Sequence, residues 1–316
     1  MSAPLSPFRE GLNASPLVLM EGAVVERVRR GHPESLDPLL MNAHLVASEE
    51  GRNLLRPVYR DYLTTGAASG LPMICLTPTW RATPERIAQS PWTGQDLNGM
   101  SARFMDGLRR ESGDYAAKIY VGGLMGCRGD AYRPEEGLST EEGARFHRVQ
   151  AEALASGGVD LLFGSTLPAL PEAVGMAQAF SQTGSEYLIS FIIRPSGRLL
   201  DGTPLEEAAD RIDQSVARPP AGYLVNCIHP SVLRAALESS DSRRQVLHGR
   251  LLGLQANTSA KAPEELDGSE ELDGDEPRPF AEAMAGLYKD FGLKVFGGCC
   301  GTDGRHISAL ARALIP

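Results

Sequence analysis

Hydrophobic positions along the chain fall into eight short, nearly continuous apolar runs, separated by segments with helical spacing. The runs predict buried strands at residues 17–20, 71–76, 116–121, 159–163, 187–193, 222–225, 250–254 and 293–296. Apolar residues three and four positions apart predict helices at 53–64, 97–110, 140–155, 170–180, 204–216, 231–237, 279–291 and 304–314. Ser139, three residues before Glu142, predicts a capping box at the start of the helix at 140–155.

Strands that are apolar along their whole length are buried on both faces, which predicts a parallel sheet covered by helices. Eight strand–helix units favour one (β/α)8 barrel domain of the α/β class over residues 1–316. The alternative is an open, doubly wound sheet, but the turn after the first strand lacks the glycine-rich phosphate motif of that fold. A barrel places its functional side chains where the strands end. The polar or reactive residues at those points include Glu21, Thr77, Thr79, Ser165, Thr166, Asn226, Cys227, Asn257, Cys299 and Cys300. Six of them are the candidate substrate contacts: Glu21, Thr77, Ser165, Thr166, Asn226 and Asn257.

The net charge of −9 is a property of one segment. Eight acidic residues and no basic residue lie between positions 264 and 276, and their removal would leave a net charge of −1. We interpret residues 262–277 as a solvated surface loop inserted after the seventh strand, because charge blocks usually behave in this way. The segment lacks the ligand spacing of an EF-hand. The negative charge argues against binding to nucleic acid.

The remaining composition is typical of a soluble globular protein, with 42% hydrophobic and 22% charged residues. No apolar run approaches the roughly 20 residues of a membrane span. The first twenty residues lack the basic and apolar regions of a secretory signal. Five cysteines are too few for a disulfide scaffold, so a reducing cytoplasm is predicted. Oligomeric state has no marker in the sequence.

Three of the cysteines suggest a metal site. Cys299 and Cys300 are adjacent and flanked by glycines, which permit the sharp bend needed to aim both sulfurs at one point. Cys227 follows another strand. Three thiolates and one open position would match catalytic zinc. A vicinal disulfide or simple packing of small buried residues are the alternatives. His229 and His306 are candidates for a fourth ligand, whereas Cys75 and Cys127 have no partner motif.

The residues around these cysteines resemble a known family. Gly297-Gly298-Cys299-Cys300-Gly301-Thr302 with His306-Ile307 is similar to the C-terminal motif of the homocysteine S-methyltransferase family, and Asn226-Cys227-Ile228-His229-Pro230 resembles its Asn-Cys-x-x-Pro element. The resemblance spans roughly residues 17–314. Further elements of the resemblance are Thr77, Thr79 and Ala82; Val159-Asp160-Leu161-Leu162; Thr166, Pro168, Glu172 and Ala173; and Asp201-Gly202-Thr203.

The resemblance implies a zinc-dependent enzyme in which Cys227, Cys299 and Cys300 hold Zn²⁺ and a thiol substrate takes the open position. A free thiol is mostly protonated at neutral pH, whereas a zinc-bound thiol is deprotonated. Its sulfur would then accept a methyl group from a cationic donor such as S-methylmethionine or betaine, with no organic cofactor. Trp80 is a candidate aromatic contact for that cation.

Three departures from the family pattern concern the substrate. Glu21-Gly22-Ala23 stands where Asp-Gly-Gly is usual, Ser165 stands where members that use homocysteine commonly have Glu, and Tyr59 stands where His is frequent. We expect intact transfer chemistry with a retuned thiol pocket, for homocysteine or a related thiol. The alternative is an altered family member that acts as a zinc- or thiol-binding or redox-sensing protein.

Overall fold

The computed structural model describes residues 5–238, 249–261 and 274–315, and it contains a closed barrel of eight parallel strands. The strands are β1 (Val18–Met20), β2 (Met73–Leu76), β3 (Ile119–Gly126), β4 (Leu161–Leu167), β5 (Glu186–Phe191), β6 (Gly222–Ile228), β7 (Leu251–Ala256) and β8 (Val295–Gly298). Each strand pairs with the next in sequence, and β1 pairs with β8. The predicted (β/α)8 barrel is confirmed, and the open-sheet alternative is excluded.

Eleven α-helices occur in the described ranges: α1 (Pro7–Ala14), α2 (Val25–Gly31), α3 (Glu49–Ser69), α4 (Pro84–Ala88), α5 (Leu97–Glu111), α6 (Thr140–Ser156), α7 (Leu170–Thr183), α8 (Leu205–Ser215), α9 (Pro230–Glu238), α10 (Pro277–Phe291) and α11 (Gly304–Leu314). Short 3-10 helices lie at Pro33–Ser35, Ala43–Ala47, Gly113–Lys118 and Pro134–Glu136. All eight predicted helices are present. The predicted capping box of α6 is confirmed. Helices α1, α2 and α4 were not predicted, because each has only five to eight residues.

Strand β3 differs most from its predicted range of 116–121. Residues Gly113–Lys118 form a 3-10 helix, and β3 continues through Gly122 and Gly123 to Gly126. The two glycines suggested a strand end, but they lie inside β3, where neighbouring side chains pack directly against their backbone. A Cβ atom on Gly122 would lie 2.5 Å from Leu76, and one on Gly123 would lie 3.1 Å from Leu154.

The apolar core has two parts. One lies between the strands and the surrounding helices. The other fills the barrel interior and includes Met20, Ile74, Leu161, Phe163, Leu188, Leu224 and Val295. Helix α1 closes the end of the barrel where the strands begin, with Phe8 and Leu12 buried against this interior cluster. Arg9 of α1 forms an ion pair of 2.8 Å with Glu186 at the start of β5.

Most of the predicted acidic loop, residues 262–273, lies outside the described residues, so its interpretation as a solvated loop stays a prediction. In the described ranges, no helix combines the length and apolar character needed to cross a membrane.

Candidate active site

A cavity of about 350 Å³ opens at the end of the barrel where the strands finish. Residues from the ends of β1, β2, β4, β6 and β8 line it. Five of the predicted substrate contacts face this cavity, together with the three cysteines: Glu21, Thr77, Ser165, Thr166, Asn226, Cys227, Cys299 and Cys300. The sixth, Asn257, is buried between the two cysteine-bearing segments.

The sulfurs of Cys227, Cys299 and Cys300 converge at one side of the cavity. Their Sγ atoms all lie within 4.8 Å of one another, and those of Cys227 and Cys300 are 3.8 Å apart. Sulfurs bound about 2.3 Å from one metal in a tetrahedron lie about 3.8 Å apart, so this spacing fits zinc. Cys227 is buried, Cys299 is partly buried and Cys300 is exposed, so the cluster is accessible from the cavity side.

Unusual backbone conformations direct neighbouring side chains into the same cavity. Adjacent residues of a regular strand face opposite sides, but Asn226 and Cys227 both line the cavity. Cys227 has a φ of 60°, and the β6–β7 register shifts at this point. Thr166 has a φ of 58° at a similar shift between β4 and β5, and it lines the cavity beside Ser165. A left-handed conformation costs a non-glycine residue roughly 1–2 kcal/mol, so both sites are strained.

Asn257 fixes the two cysteine-bearing segments relative to each other. Its Nδ2 donates to the carbonyl of Cys227 at 3.0 Å, and its Oδ1 accepts from the amide of Cys300 at 3.1 Å. The amide of Cys299 donates to the carbonyl of Ala256 at 2.7 Å. These hydrogen bonds hold the backbone segments that carry the three sulfurs in fixed relative positions.

The cysteine cluster favours negative charge on one sulfur. Hydrogen bonds from Cys299 and Cys300 lower the pKa of Cys227 well below its usual range, and a bond from Tyr132 adds to this effect. The hydrogen bonds with Cys227, and then its negative charge, raise the pKa values of Cys299 and Cys300. The cluster therefore holds one thiolate more readily than three, and a cation would be needed to stabilise all three.

Glu21 is a buried carboxyl group at the end of β1. Its Oε1 accepts a hydrogen bond from the amide of Leu76 at 3.1 Å, whereas its Oε2 has no partner. Burial raises its pKa to about 8, although backbone hydrogen bonds partly oppose this shift. Tyr59 donates to the carbonyl of Leu76 at 2.9 Å. Glu21 and Tyr59, two of the departures from the family pattern, thus hold the same residue at the end of β2.

The third departure, Ser165, belongs to a neutral polar network. Asn226 Nδ2 donates to the hydroxyls of Ser165 at 3.0 Å and Thr166 at 2.8 Å. Asn226 Oδ1 accepts from the amide of Thr166 and from Ser190. All four hydrogen-bonding positions of the Asn226 amide are therefore used inside the protein. The two hydroxyl oxygens also lie 3.0 Å apart, so one hydroxyl donates to the other and one hydroxyl hydrogen remains for a ligand.

Thr77 and the two histidines are engaged by other parts of the protein. Thr77 Oγ1 lies 2.6 Å from Thr79 Oγ1 and accepts from the amide of Leu124 at 3.0 Å. His229 Nε2 lies 2.9 Å from Asp275 Oδ2, and His306 Nε2 lies 3.1 Å from the Asp275 carbonyl. Neither histidine belongs to the cysteine cluster. Cys75 and Cys127 are buried outside it.

Two of the cavity residues that the sequence did not predict are Tyr132 and Asn42. The Tyr132 hydroxyl lies 3.0 Å from Cys227 Sγ. Asn42 is buried, and its Nδ2 has no hydrogen-bond partner. Both lie outside the strands, in segments without periodicity, so only tertiary contacts reveal them. Trp80 lines the cavity as expected, but the Arg81 guanidinium lies 4.3 Å from the centre of its ring and covers one face.

Comparison with known proteins identifies the family of this chain. Residues 18–314 match the model of the homocysteine S-methyltransferase family. Homocysteine S-methyltransferase YbgG of Bacillus subtilis is 24% identical, with 97% of each chain covered. S-methylmethionine–homocysteine S-methyltransferase BHMT2 of Mus musculus is 26% identical over 84% of this chain and 71% of the relative.

Solved structures of a homocysteine methyltransferase also match this chain. The oxidised form of the homocysteine methyltransferase MmuM from Escherichia coli has a TM-score of 0.77 at 25% identity, with 98% of this chain and 99% of that chain covered. Its metallated form has a TM-score of 0.74 at 24% identity, with coverage of 97% and 99%. The chain belongs to the homocysteine S-methyltransferase family, whose members are thiol methyltransferases. The predicted family and enzyme class are confirmed.

Proposed function

We propose that this protein is a zinc-dependent enzyme that transfers a methyl group from a cationic donor to a thiol, either homocysteine or a related thiol. The observation that carries the proposal is the convergence of the Cys227, Cys299 and Cys300 sulfurs at the wall of one cavity. The 3.8 Å between two of these sulfurs suits a tetrahedral zinc ion. The solved metallated form of MmuM supports a metal in this family.

When bound, zinc would keep the acceptor thiol deprotonated and therefore nucleophilic. The thiol proton leaves to solvent, an S–CH₃ bond forms, and the bond from the methyl carbon to the cationic nitrogen or sulfur of the donor breaks. The electron pair of that bond stays on the donor atom, which becomes neutral. The role of the protein is to hold both molecules in line and to keep water away from them.

Two unpartnered polar atoms in the cavity support an acceptor with an α-amino acid group. The positive charge of an ammonium group beside Glu21 would favour the ionised form of this carboxyl, whose Oε2 could then accept a hydrogen bond from it, and Asn42 Nδ2 is a donor that suits a carboxylate. Buried polar atoms without partners are rare and costly, so a ligand that pairs with them gains affinity. Ser165 would add a neutral hydroxyl where a carboxylate is common in the family, and Thr166 would add a second. We propose that Glu21 supplies the carboxylate that pairs with the ammonium group.

The methyl donor would approach from the aromatic side of the cavity, where Trp80 and Tyr132 lie. Because Arg81 covers one face of Trp80, a cation would have only the opposite face of the ring. S-methylmethionine and betaine both carry a positive charge beside the methyl group. With homocysteine as acceptor, the product would be methionine.

The cytoplasmic location predicted from the small number of cysteines is part of the same proposal. The partners in this proposal are small molecules only, the thiol and the methyl donor. The domain boundaries of 1–316, with the acidic segment inserted after β7, are part of the same proposal.

The test is methyl transfer by the zinc-loaded protein to homocysteine and to 4-mercaptobutanoate, which lacks only the amino group. We expect saturable transfer to both thiols, with at least tenfold higher kcat/KM for homocysteine because only it can pair with Glu21. Equal values for the two thiols would contradict the assigned role of Glu21. Thiol binding without transfer from any cationic donor would instead favour the zinc- or thiol-binding alternative.

A further inference from the structure

The hydroxyl of Tyr132 contacts one of the three proposed ligand sulfurs directly. Its Oη lies 3.0 Å from Cys227 Sγ, and the partly buried side chain lines the cavity. Cys299 and Cys300 have no hydroxyl donor at their sulfurs in the described residues. The three sulfurs are therefore unequal, and Cys227 alone is paired with a phenol.

The loop that carries Tyr132 is held firmly from behind. Glu172, fully buried in the first turn of α7, accepts hydrogen bonds from the amides of Arg128 at 2.7 Å and Leu138 at 3.2 Å. These two residues lie on either side of Tyr132 in the loop between β3 and α6. His147 of α6 lies 2.9 Å from the same carboxylate. The loop is thus fixed at both ends by one side chain.

Contacts inside the loop restrict it further. Arg81 donates to the carbonyl of Gly129 at 2.7 Å. The amide of Tyr132 donates to Asp130 Oδ1 at 2.9 Å, and the amide of Asp130 donates to Glu136 Oε2 at 2.9 Å. A side chain at the tip of an unsupported loop would sample many positions, whereas this loop delivers the phenol to one place.

We propose that Tyr132 is a positioning residue that donates a hydrogen bond to the ligand sulfur of Cys227 and so reduces the negative charge which this sulfur gives to the metal. This inference rests on the proposed zinc site. A metal-bound cysteine has lost its proton, so the phenol must be the donor. Hydrogen bonds to metal ligands orient them and adjust their basicity. A less charged ligand set would accept the additional charge of the substrate thiolate more readily.

The test uses cobalt(II) in place of zinc, because the sulfur-to-cobalt charge-transfer band reports the electron density on the sulfurs. Tyr132→Phe removes only the hydroxyl and keeps the ring. We expect the band of the variant to move to longer wavelength than that of the unaltered protein, because a sulfur without the hydrogen bond gives up an electron more easily. Tyr115→Phe is the matched control. It also loses one phenol hydrogen bond, to the carbonyl of Leu71. Both residues precede the strands β2 and β3, at the barrel end opposite the three ligand cysteines, so the band of this variant should not move.

The outcomes separate this proposal from the metal site itself. An unmoved band in cobalt-loaded Tyr132→Phe would overturn the role of Tyr132 and leave the metal site intact. Weaker homocysteine binding without a change in the resting band would also overturn it, and would place the hydroxyl against the substrate. If the unaltered protein bound no cobalt, the metal site would fail, and the inference about Tyr132 with it. Melting temperatures of both variants close to that of the unaltered protein would establish that the fold is unchanged.

Discussion

Replacing Glu21 by Gln should stabilise the protein at neutral pH, although the residue lines the active-site cavity. Burial raises the pKa of the folded Glu21 carboxyl to about 8, compared with 4.5 for the ordinary group. The unfolded chain therefore releases this proton at a lower pH than the folded chain does. As pH rises from about 4.5 to about 8, ionisation of this carboxyl in the unfolded chain progressively lowers the free energy of unfolding. Glutamine has nearly the same shape and does not ionise, so the variant avoids this penalty.

The size of the effect follows from the pKa difference. Each pKa unit corresponds to 1.36 kcal/mol. At pH 7, which lies 2.5 units above the unfolded pKa of 4.5, the Glu21→Gln variant should be more stable by about 3 kcal/mol. Below about pH 4.5 the carboxyl is protonated in both states, and the two proteins should have similar stability.

The measurement is equilibrium urea denaturation of the zinc-free proteins from pH 4.5 to 8.5. The difference in unfolding free energy should grow with pH and become constant above pH 8. Glu34→Gln, at an exposed position, is the control for the replacement of a carboxyl group by an amide. A difference that does not change with pH, or a variant less stable throughout, would refute the assignment of a raised pKa. The same variant should bind homocysteine at least tenfold more weakly, since it cannot pair with the ammonium group.

Three further predictions concern the metal site and the loop that contacts it. Cys300→Ser should lose zinc and methyl transfer together, and normal zinc content by elemental analysis would contradict its role as a ligand. Asn257→Ala should weaken zinc binding by about 10- to 100-fold in a chelator competition assay, because the segments of Cys227 and Cys300 lose the two hydrogen bonds that connect them. Unchanged affinity would mean that other contacts hold the backbone of these cysteines. Hydrogen bonds keep the pKa of Glu172 below its ordinary value although burial raises it. Glu172→Gln should therefore be less stable than the unaltered protein at pH 7, and the difference in unfolding free energy should shrink as pH falls through the pKa of Glu172 in the folded protein. A difference that stays constant in urea denaturation between pH 7 and pH 3 would refute this.

Much of the fold could be predicted from the sequence because each strand is buried on both sides. Such strands appear as continuous apolar runs, and eight of them in regular alternation with helices have few arrangements other than a barrel. Strand ends were harder to predict. Ser165 and Asn226 lie inside strands, although polar residues suggested that the strands had already ended. A hydrogen bond between them pairs these polar groups inside the barrel, and it joins residues 61 positions apart.

The candidate site was predictable where chemistry is local in sequence. Adjacent cysteines between glycines, together with Cys227 at another strand end, indicated a cluster, and the family resemblance strengthened that prediction. The left-handed conformation of Cys227 had no such marker, because non-glycine residues adopt it only when tertiary packing imposes it. Tyr132 and Asn42 were missed for a related reason: their relevance comes from contacts across the cavity and not from a motif.

Helix α1 has a practical consequence for anyone who trims this protein. The match to the family begins at residue 18, so a fragment designed on that boundary would discard Pro7–Ala14. That fragment would lose Phe8 and Leu12 from the interior cluster, the ion pair of Arg9 with Glu186, and the bond from Lys294 to the carbonyl of Leu12. Its barrel would be open to water at the end opposite the cavity. Fusion partners and cleavable tags should therefore be attached before Ser6, the residue that caps this helix.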